Sequence, residues 1–207
     1  IKHHRKQGEV ESMGKIKVCI VGVGRIASLN VLGYKDHPDA EIYAVCSRSS
    51  EKGREAAENW GAKKVYTNYD EMLKDPEIDM IELLVPHNLH CEMTVKACKA
   101  GKHVSVQKPM AMNLEEADLM IKAAKDAGVV LKIYENFIFY PPYVKAKQLI
   151  DEGAIGEPIT MRYKMNAGKQ TLGWDVDLET WKWRMEEDVC GGGPLVFDDG
   201  YHKSVSY

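Results

Sequence analysis

The chain has 207 residues, 44% of them hydrophobic, with 28 Lys and Arg against 31 Asp and Glu and a formal net charge of -3. That composition belongs to a globular chain of one or two domains. The slight negative balance and the lack of a basic block exclude an electrostatic affinity for nucleic acid, and no apolar run approaches the roughly 18 residues that span a bilayer.

Residues 1–12 are polar and lack the apolar core of a secretion signal, so with His3-His4 they read as a tag or disordered leader, Met13 being the natural start. Residues 13–134 then alternate short β-rich runs with helical periodicity. The runs are Ile16–Val21, Glu41–Cys46, Lys64–Tyr66, Asp79–Val85, His103–Val106 and Val129–Tyr134. This alternation predicts an α/β fold, a doubly wound parallel sheet with crossover helices on both faces. Helices are predicted over Glu51–Trp60, Leu89–Ala100 and Leu114–Ala127, ending at Gly61, Gly101 and Gly128, with Asn113 and Glu116 as a capping pair for the last. After Tyr134 the pattern changes. Pro141-Pro142 opens a helix through Ile150, Gly153 and Gly156 break the chain, and Ile159–Met165 reads as a strand. Residues 135–207 thus form a second α/β domain, an incomplete one, because one strand and a few helices cannot bury both faces of a sheet. The five cysteines are odd in number and lack the close pairs of zinc or redox centres, which fits a reducing cytoplasm and no metal site.

The chemistry-bearing residues fall at strand ends. Gly22-Val23-Gly24-Arg25-Ile26-Ala27 follows the first strand and precedes a helix, the G-x-G-x-x-A spacing of a dinucleotide site. One glycine makes the turn, the next admits the pyrophosphate to the backbone, and the small sixth residue lets helix and strand pack closely. The second strand ends in Cys46-Ser47-Arg48-Ser49, without the acid that accepts the adenine ribose diol. A hydroxyl followed by a guanidinium suits the extra phosphate of NADP, so NADP is the expected cofactor and NAD the alternative. The fourth and fifth strands end in Pro86-His87-Asn88-Leu89-His90 and Gln107-Lys108-Pro109, at the edge where such sheets bind ligands. Asn88 can hold a ribose or carboxamide, and Pro86, His90, Gln107 and Lys108 complete the expected cofactor set. An amine at Lys108 can polarise a substrate oxygen. Further on, Asp198 and His202 share a face if that segment is helical, which suits proton transfer.

Together, the fingerprint at Gly22–Ala27, the Pro86-His87-Asn88 turn, the Lys108-Pro109 step and the Gly191-Gly192-Gly193 run before Asp198-x-Gly200-x-His202 resemble the Gfo/Idh/MocA oxidoreductases. The resemblance implies an N-terminal Rossmann domain and a C-terminal domain built on a mostly antiparallel sheet that commonly mediates homo-oligomers. It implies that Lys108 is the lysine of a Glu-Lys-Pro motif, whose glutamate is here Gln107, that Asp198 binds substrate and that His202 is the catalytic histidine. Chains of the family are usually longer, so part of the second domain is expected to be absent. The activity expected is hydride transfer between a nicotinamide and a secondary alcohol or ketone of a sugar, cyclic polyol or related molecule; the Trp residues of 173–184 either wall a sugar site or serve in packing. The other reading is a dinucleotide-binding sensor or scaffold that has lost turnover.

Overall fold

The computed structural model describes residues 14–135, 137–162 and 182–192. Strands β1 (Ile16–Val21), β2 (Ala40–Cys46), β3 (Lys64–Tyr66), β4 (Met80–Leu83), β5 (His103–Gln107) and β6 (Leu131–Tyr134) form one sheet in the order β3-β2-β1-β4-β5-β6. Every pairing is parallel. The six β-rich runs therefore appear in their expected places. The chain winds outward from β1 to β3, then crosses to β4 and winds the other way. That reversal opens a crevice beyond the carboxyl ends of β1 and β4.

Both faces of the sheet are covered, which explains why β1 reads as a continuous apolar run rather than an alternating one. Its residues Val18, Cys19 and Ile20 have no solvent exposure. On one face α1 (Ala27–Val31) sets Ala27 and Val31 against Val18, Ile20, Ile42 and Leu84, and α2 (Ser50–Trp60) sets Ala56 and Ala57 against Val45. On the other, α3 (Tyr69–Leu73), α4 (His90–Lys99) and α5 (Leu114–Ala127) bring Met72, Ala97, Cys98, Met120 and Ala124 onto Cys19, Val21, Leu83, Val104 and Val106. Met72 and Met120 are fully buried, and each such side chain stabilises the fold by roughly 1.5–3 kcal/mol. β1 and β2 slip by one residue between Val18 and Cys19, where the partner steps from Ile42 to Ala44 and leaves Tyr43 as the extra residue of a bulge.

Local signals account for the helix ends. Asn113 accepts the Glu116 amide at 2.8 Å, and the Glu116 carboxylate accepts the Met112 amide at 3.0 Å, so the predicted capping pair forms with its return bond one residue early. Gly61, Gly101 and Gly128 all adopt the left-handed conformation expected of helix stops. Helix α3 had no counterpart in the sequence reading. Its signal is Asn68, whose side chain accepts the Glu71 amide at 3.0 Å.

Beyond β6 a 3-10 turn, Phe137–Phe139, leads into α6 (Pro141–Asp151), as Pro141-Pro142 predicts. The strand expected over Ile159–Met165 is corrected for its described part. Residues 159–162 pair with no strand among the described residues, and Ile159 is 97% exposed. β-rich composition marks a segment that fits a pleated, half-buried surface, and here no neighbouring strand supplies one. The rest of that strand and nearly half of residues 135–207 lie outside the described residues.

Candidate functional site

The glycine turn sits where the strand order reverses. Gly22 has φ +96°, and a Cβ there would lie 2.3 Å from the Leu84 carbonyl oxygen, so only glycine lets the end of β1 pass the chain leaving β4. Its amide donates to the Cys46 carbonyl at 2.9 Å and ties the turn to the end of β2. Gly24 differs in kind. A Cβ there meets nothing within 4 Å among the described residues, and Gly24 is exposed, so the turn at this residue is open to a ligand. Val23 packs toward Val45 and Ile26 toward Val18, anchoring the turn from beneath. Ala27 is fully buried against the sheet, the close packing that its position in the motif requires. Open space above the second glycine and a closed contact below the first are what a bound pyrophosphate needs, so these residues fit a dinucleotide.

Directly after Cys46, Ser47 is half-buried, with its amide donating to the Tyr66 carbonyl at 2.9 Å and its hydroxyl accepting the Ser49 amide at 3.3 Å. Arg48 is exposed. Because the Cys46 carbonyl holds the Gly22 amide, Ser47 and Arg48 are neighbours of the glycine turn. At β5, the Gln107 side-chain oxygen accepts the Lys108 amide at 2.9 Å, Lys108 is half-buried, and the Lys108–Pro109 peptide is cis. At β4, Pro86 caps a 3-10 turn, His87–Leu89, on which Asn88 is exposed.

His90 departs from expectation. Expected among the cofactor contacts, it has no solvent exposure, its Nδ1 lies 2.9 Å from the Pro109 carbonyl oxygen and its Nε2 lies 3.0 Å from that of Val85. Both ring nitrogens are engaged by backbone, which leaves neither to meet a ligand. Burial lowers its pKa from the ordinary histidine value, and the backbone contacts oppose that shift. In the sequence His87 reads equally as a helix-start residue or a ligand, and the structure gives it a different place. It is 3% exposed, its Nδ1 lies 2.8 Å from the Cys190 carbonyl oxygen, and its ring meets Trp183 edge-on at 4.8 Å. The helix Glu187–Cys190, with Cys190 fully buried, therefore lies against the β4 turn, and Gly191-Gly192 leave from that place. No sequence signal distinguishes a histidine that docks a distant segment from one that starts a helix. Trp183, which the sequence leaves open between a sugar wall and packing, packs on His87 and under the Arg184 guanidinium at 4.3 Å. Asp198, His202 and residues 173–181 lie outside the described residues.

Two further features flank the edge. A half-open cavity of about 180 Å³ is lined by Lys132, Tyr134, Glu135 and Phe139 at the end of β6, three strands from the glycine turn. Glu82, in the middle of β4, is fully buried and accepts the Tyr34 hydroxyl at 2.7 Å. Burial raises its pKa against the opposing effect of that bond.

A parallel sheet of this order, with a glycine turn at its reversal point, defines a dinucleotide-binding Rossmann domain. The chain belongs to the Gfo/Idh/MocA oxidoreductases: residues 16–135 match that family's profile, described as an oxidoreductase family with an NAD-binding Rossmann fold. It is 32% identical over 147 residues to the myo-inositol 2-dehydrogenase of Thermotoga maritima, covering 71% of this chain and 44% of the relative. It is also 32% identical over 179 residues to the 1,5-anhydro-D-fructose reductase of Ensifer adhaerens, covering 86% and 51%. Among solved structures, KijD10, a 3-ketoreductase from Actinomadura kijaniata in complex with TDP-benzene and NADP in an open conformation, superposes with a TM-score of 0.66 at 28% identity, over 70% of this chain and 46% of that one. The chain spans about half the length of the curated relatives it matches. No helix of the described residues is long and apolar enough to cross a membrane.

Proposed function

We propose that this chain is the nucleotide-binding part of an NADP-dependent oxidoreductase acting on a secondary alcohol, or its ketone, of a sugar, cyclic polyol or related small molecule. The observation that carries the reading is the pair of glycines at the strand reversal, Gly22 closed against Leu84 and Gly24 open to solvent. Val23, Gly24, Arg25 and Ile26 form the turn that receives the pyrophosphate, and Asn88 and Pro86 border the nicotinamide side. Ser47 and Arg48 receive the 2′-phosphate: the arginine is exposed beside the turn, and no acid follows β2 to claim the ribose diol. That NADP accompanies the similar KijD10 structure supports the same preference.

A nicotinamide held at this edge would supply the hydride acceptor or donor for the carbinol carbon. His202 takes the hydroxyl proton as the C–O bond becomes a carbonyl, and returns it in the reverse direction. Lys108, at the end of β5, stabilises the oxygen as its charge develops, and Asp198 orients the substrate hydroxyls. Gln107 holds the Lys108 backbone through its side-chain oxygen, so the usual glutamate's charge is absent while a hydrogen-bonding role is kept. The five free cysteines suit a reducing, cytoplasmic setting, and a second domain, completed beyond this span, would supply a homo-oligomer interface.

Fluorescence titration with NADPH and NADH, followed by an absorbance screen of polyols and sugars, tests the reading. Tighter NADPH binding and turnover of a polyol or sugar are expected. Failure to bind either nucleotide would overturn it, and tight binding without turnover on any substrate would replace the enzyme by a nucleotide sensor.

A further inference from the structure

His90 is the first residue of α4, yet its side chain does nothing for that helix. It reaches across the carboxyl edge of the sheet and touches two backbone carbonyls from different strands' exits, Val85 after β4 and Pro109 after β5. Pro109 is bonded to Lys108, whose side chain starts one residue from that contact. The ring is fully buried and is flanked by the His87 ring at a centroid distance of 5.5 Å, which is itself fixed by the Cys190 carbonyl. A neutral imidazole carries one N–H and an imidazolium two, so in either form at least one of the carbonyls receives a hydrogen bond.

We propose that His90 is a positioning residue, a buried tie between the β4 and β5 exits whose bond to the Pro109 carbonyl fixes the loop that carries Lys108. The inference rests on the role given to Lys108 above, but the tie itself can be tested whether or not the protein turns over. Two isosteres divide the ring. His90→Asn keeps an amide nitrogen near the Nδ1 position and can still donate to Pro109, whereas His90→Gln keeps one near Nε2 and can donate only toward Val85.

The readout is residue-resolved amine labelling of Lys108 by reductive methylation and mass spectrometry, in the nucleotide-free full chain. In His90→Gln labelling of Lys108 should rise about fivefold, the opening expected when one net hydrogen bond of about 1 kcal/mol is lost. In His90→Asn it should stay within about twofold of the parent, while Lys52 and Lys122, distant on α2 and α5, remain unchanged in both. If the protein is an active reductase, His90→Gln should also lower kcat with little change in KM for nucleotide, and His90→Asn should restore it. Equal Lys108 labelling in the two variants, raised or not, would overturn the tie and leave His90 a core residue. Loss of NADPH binding in the parent protein would overturn the proposed function and leave the labelling result standing.

Discussion

Replacing Gly22 by Ala sets a methyl group 2.3 Å from the Leu84 carbonyl oxygen, on a residue whose φ is +96°. The left-handed backbone costs an ordinary residue about 1–2 kcal/mol, and displacing a packed neighbour, here backbone rather than a flexible side chain, adds roughly 1–3 kcal/mol. The sum, about 2–5 kcal/mol, is a large part of the ~5–15 kcal/mol that holds a domain folded. At about 2–4 °C per kcal/mol for a chain of this size, the melting temperature should fall by roughly 4–20 °C. Gly24→Ala is the matched control two residues on. Its methyl meets nothing within 4 Å, so its effect on stability should stay within about 0.5 kcal/mol. It would, however, occupy the space that the pyrophosphate requires, and NADPH affinity should weaken at least tenfold, about 1.4 kcal/mol. Thermal melts and NADPH fluorescence titrations of the two variants check both halves. A Gly24→Ala protein that binds NADPH as tightly as its parent would refute the assignment of this turn to the phosphates, and an unshifted melt for Gly22→Ala would refute the packing argument.

Ser47→Asp combined with Arg48→Ala should move preference from NADPH toward NADH, read as the ratio of dissociation constants; an unaltered protein that already prefers NADH would show that the β2 end was misread. Lys108→Ala and His202→Ala should each lower turnover by about two orders of magnitude or more with nucleotide affinity retained, and unchanged rates in both would remove their assigned roles. Glu82→Gln should raise the melting temperature near pH 8 and lose that advantage near pH 4. Because the carboxyl pKa is raised in the fold, folding favours the protonated acid, and the parent loses stability as pH climbs through the unfolded value toward the folded one. The same advantage at both pH values would mean that the gain comes from packing alone.

The sheet was legible because a doubly covered parallel strand has no alternating face to disguise it, as the unbroken burial of Val18, Cys19 and Ile20 illustrates. The glycine turn was legible because its spacing is a motif and because Gly22, crowded by the Leu84 carbonyl at φ +96°, admits no larger residue. What the sequence hid are contacts between residues distant along the chain. His87 and Cys190 are separated by 103 positions and meet through a carbonyl oxygen, which every residue possesses and no motif can mark. Glu82 was hidden differently: an acid inside an apolar run reads as an exposed edge, whereas here Tyr34, 48 residues away, supplies a donor that lets the carboxyl be buried. The expected strand after Gly156 is absent over its described residues, 159–162, for the converse reason, since composition promises a strand that only a neighbour can complete.

These long-range contacts converge on one edge of the sheet. Gly22 is fastened to β2 through Cys46 and crowded by Leu84 from β4, while β4 and β5 are joined through His90 and the segment ending at Gly192 is seated on His87. Each fastening uses backbone carbonyls and buried groups, so the exposed surfaces at Gly24, Arg48 and Asn88 remain open while the chain beneath them is fixed. A nucleotide site needs that division, because affinity falls whenever binding must first order the groups that contact the ligand. The division also accounts for the burial of the two histidines of the Pro86-His87-Asn88-Leu89-His90 turn. The turn presents Asn88 outward and directs both imidazoles inward, one holding the segment that leads toward the predicted Asp198 and His202, the other holding the loop of Lys108. Variation at Asn88 should therefore alter ligand affinity with little effect on folding, and variation at either histidine should act from beneath the site, by disturbing the placement of the Lys108 loop or of the segment seated on His87.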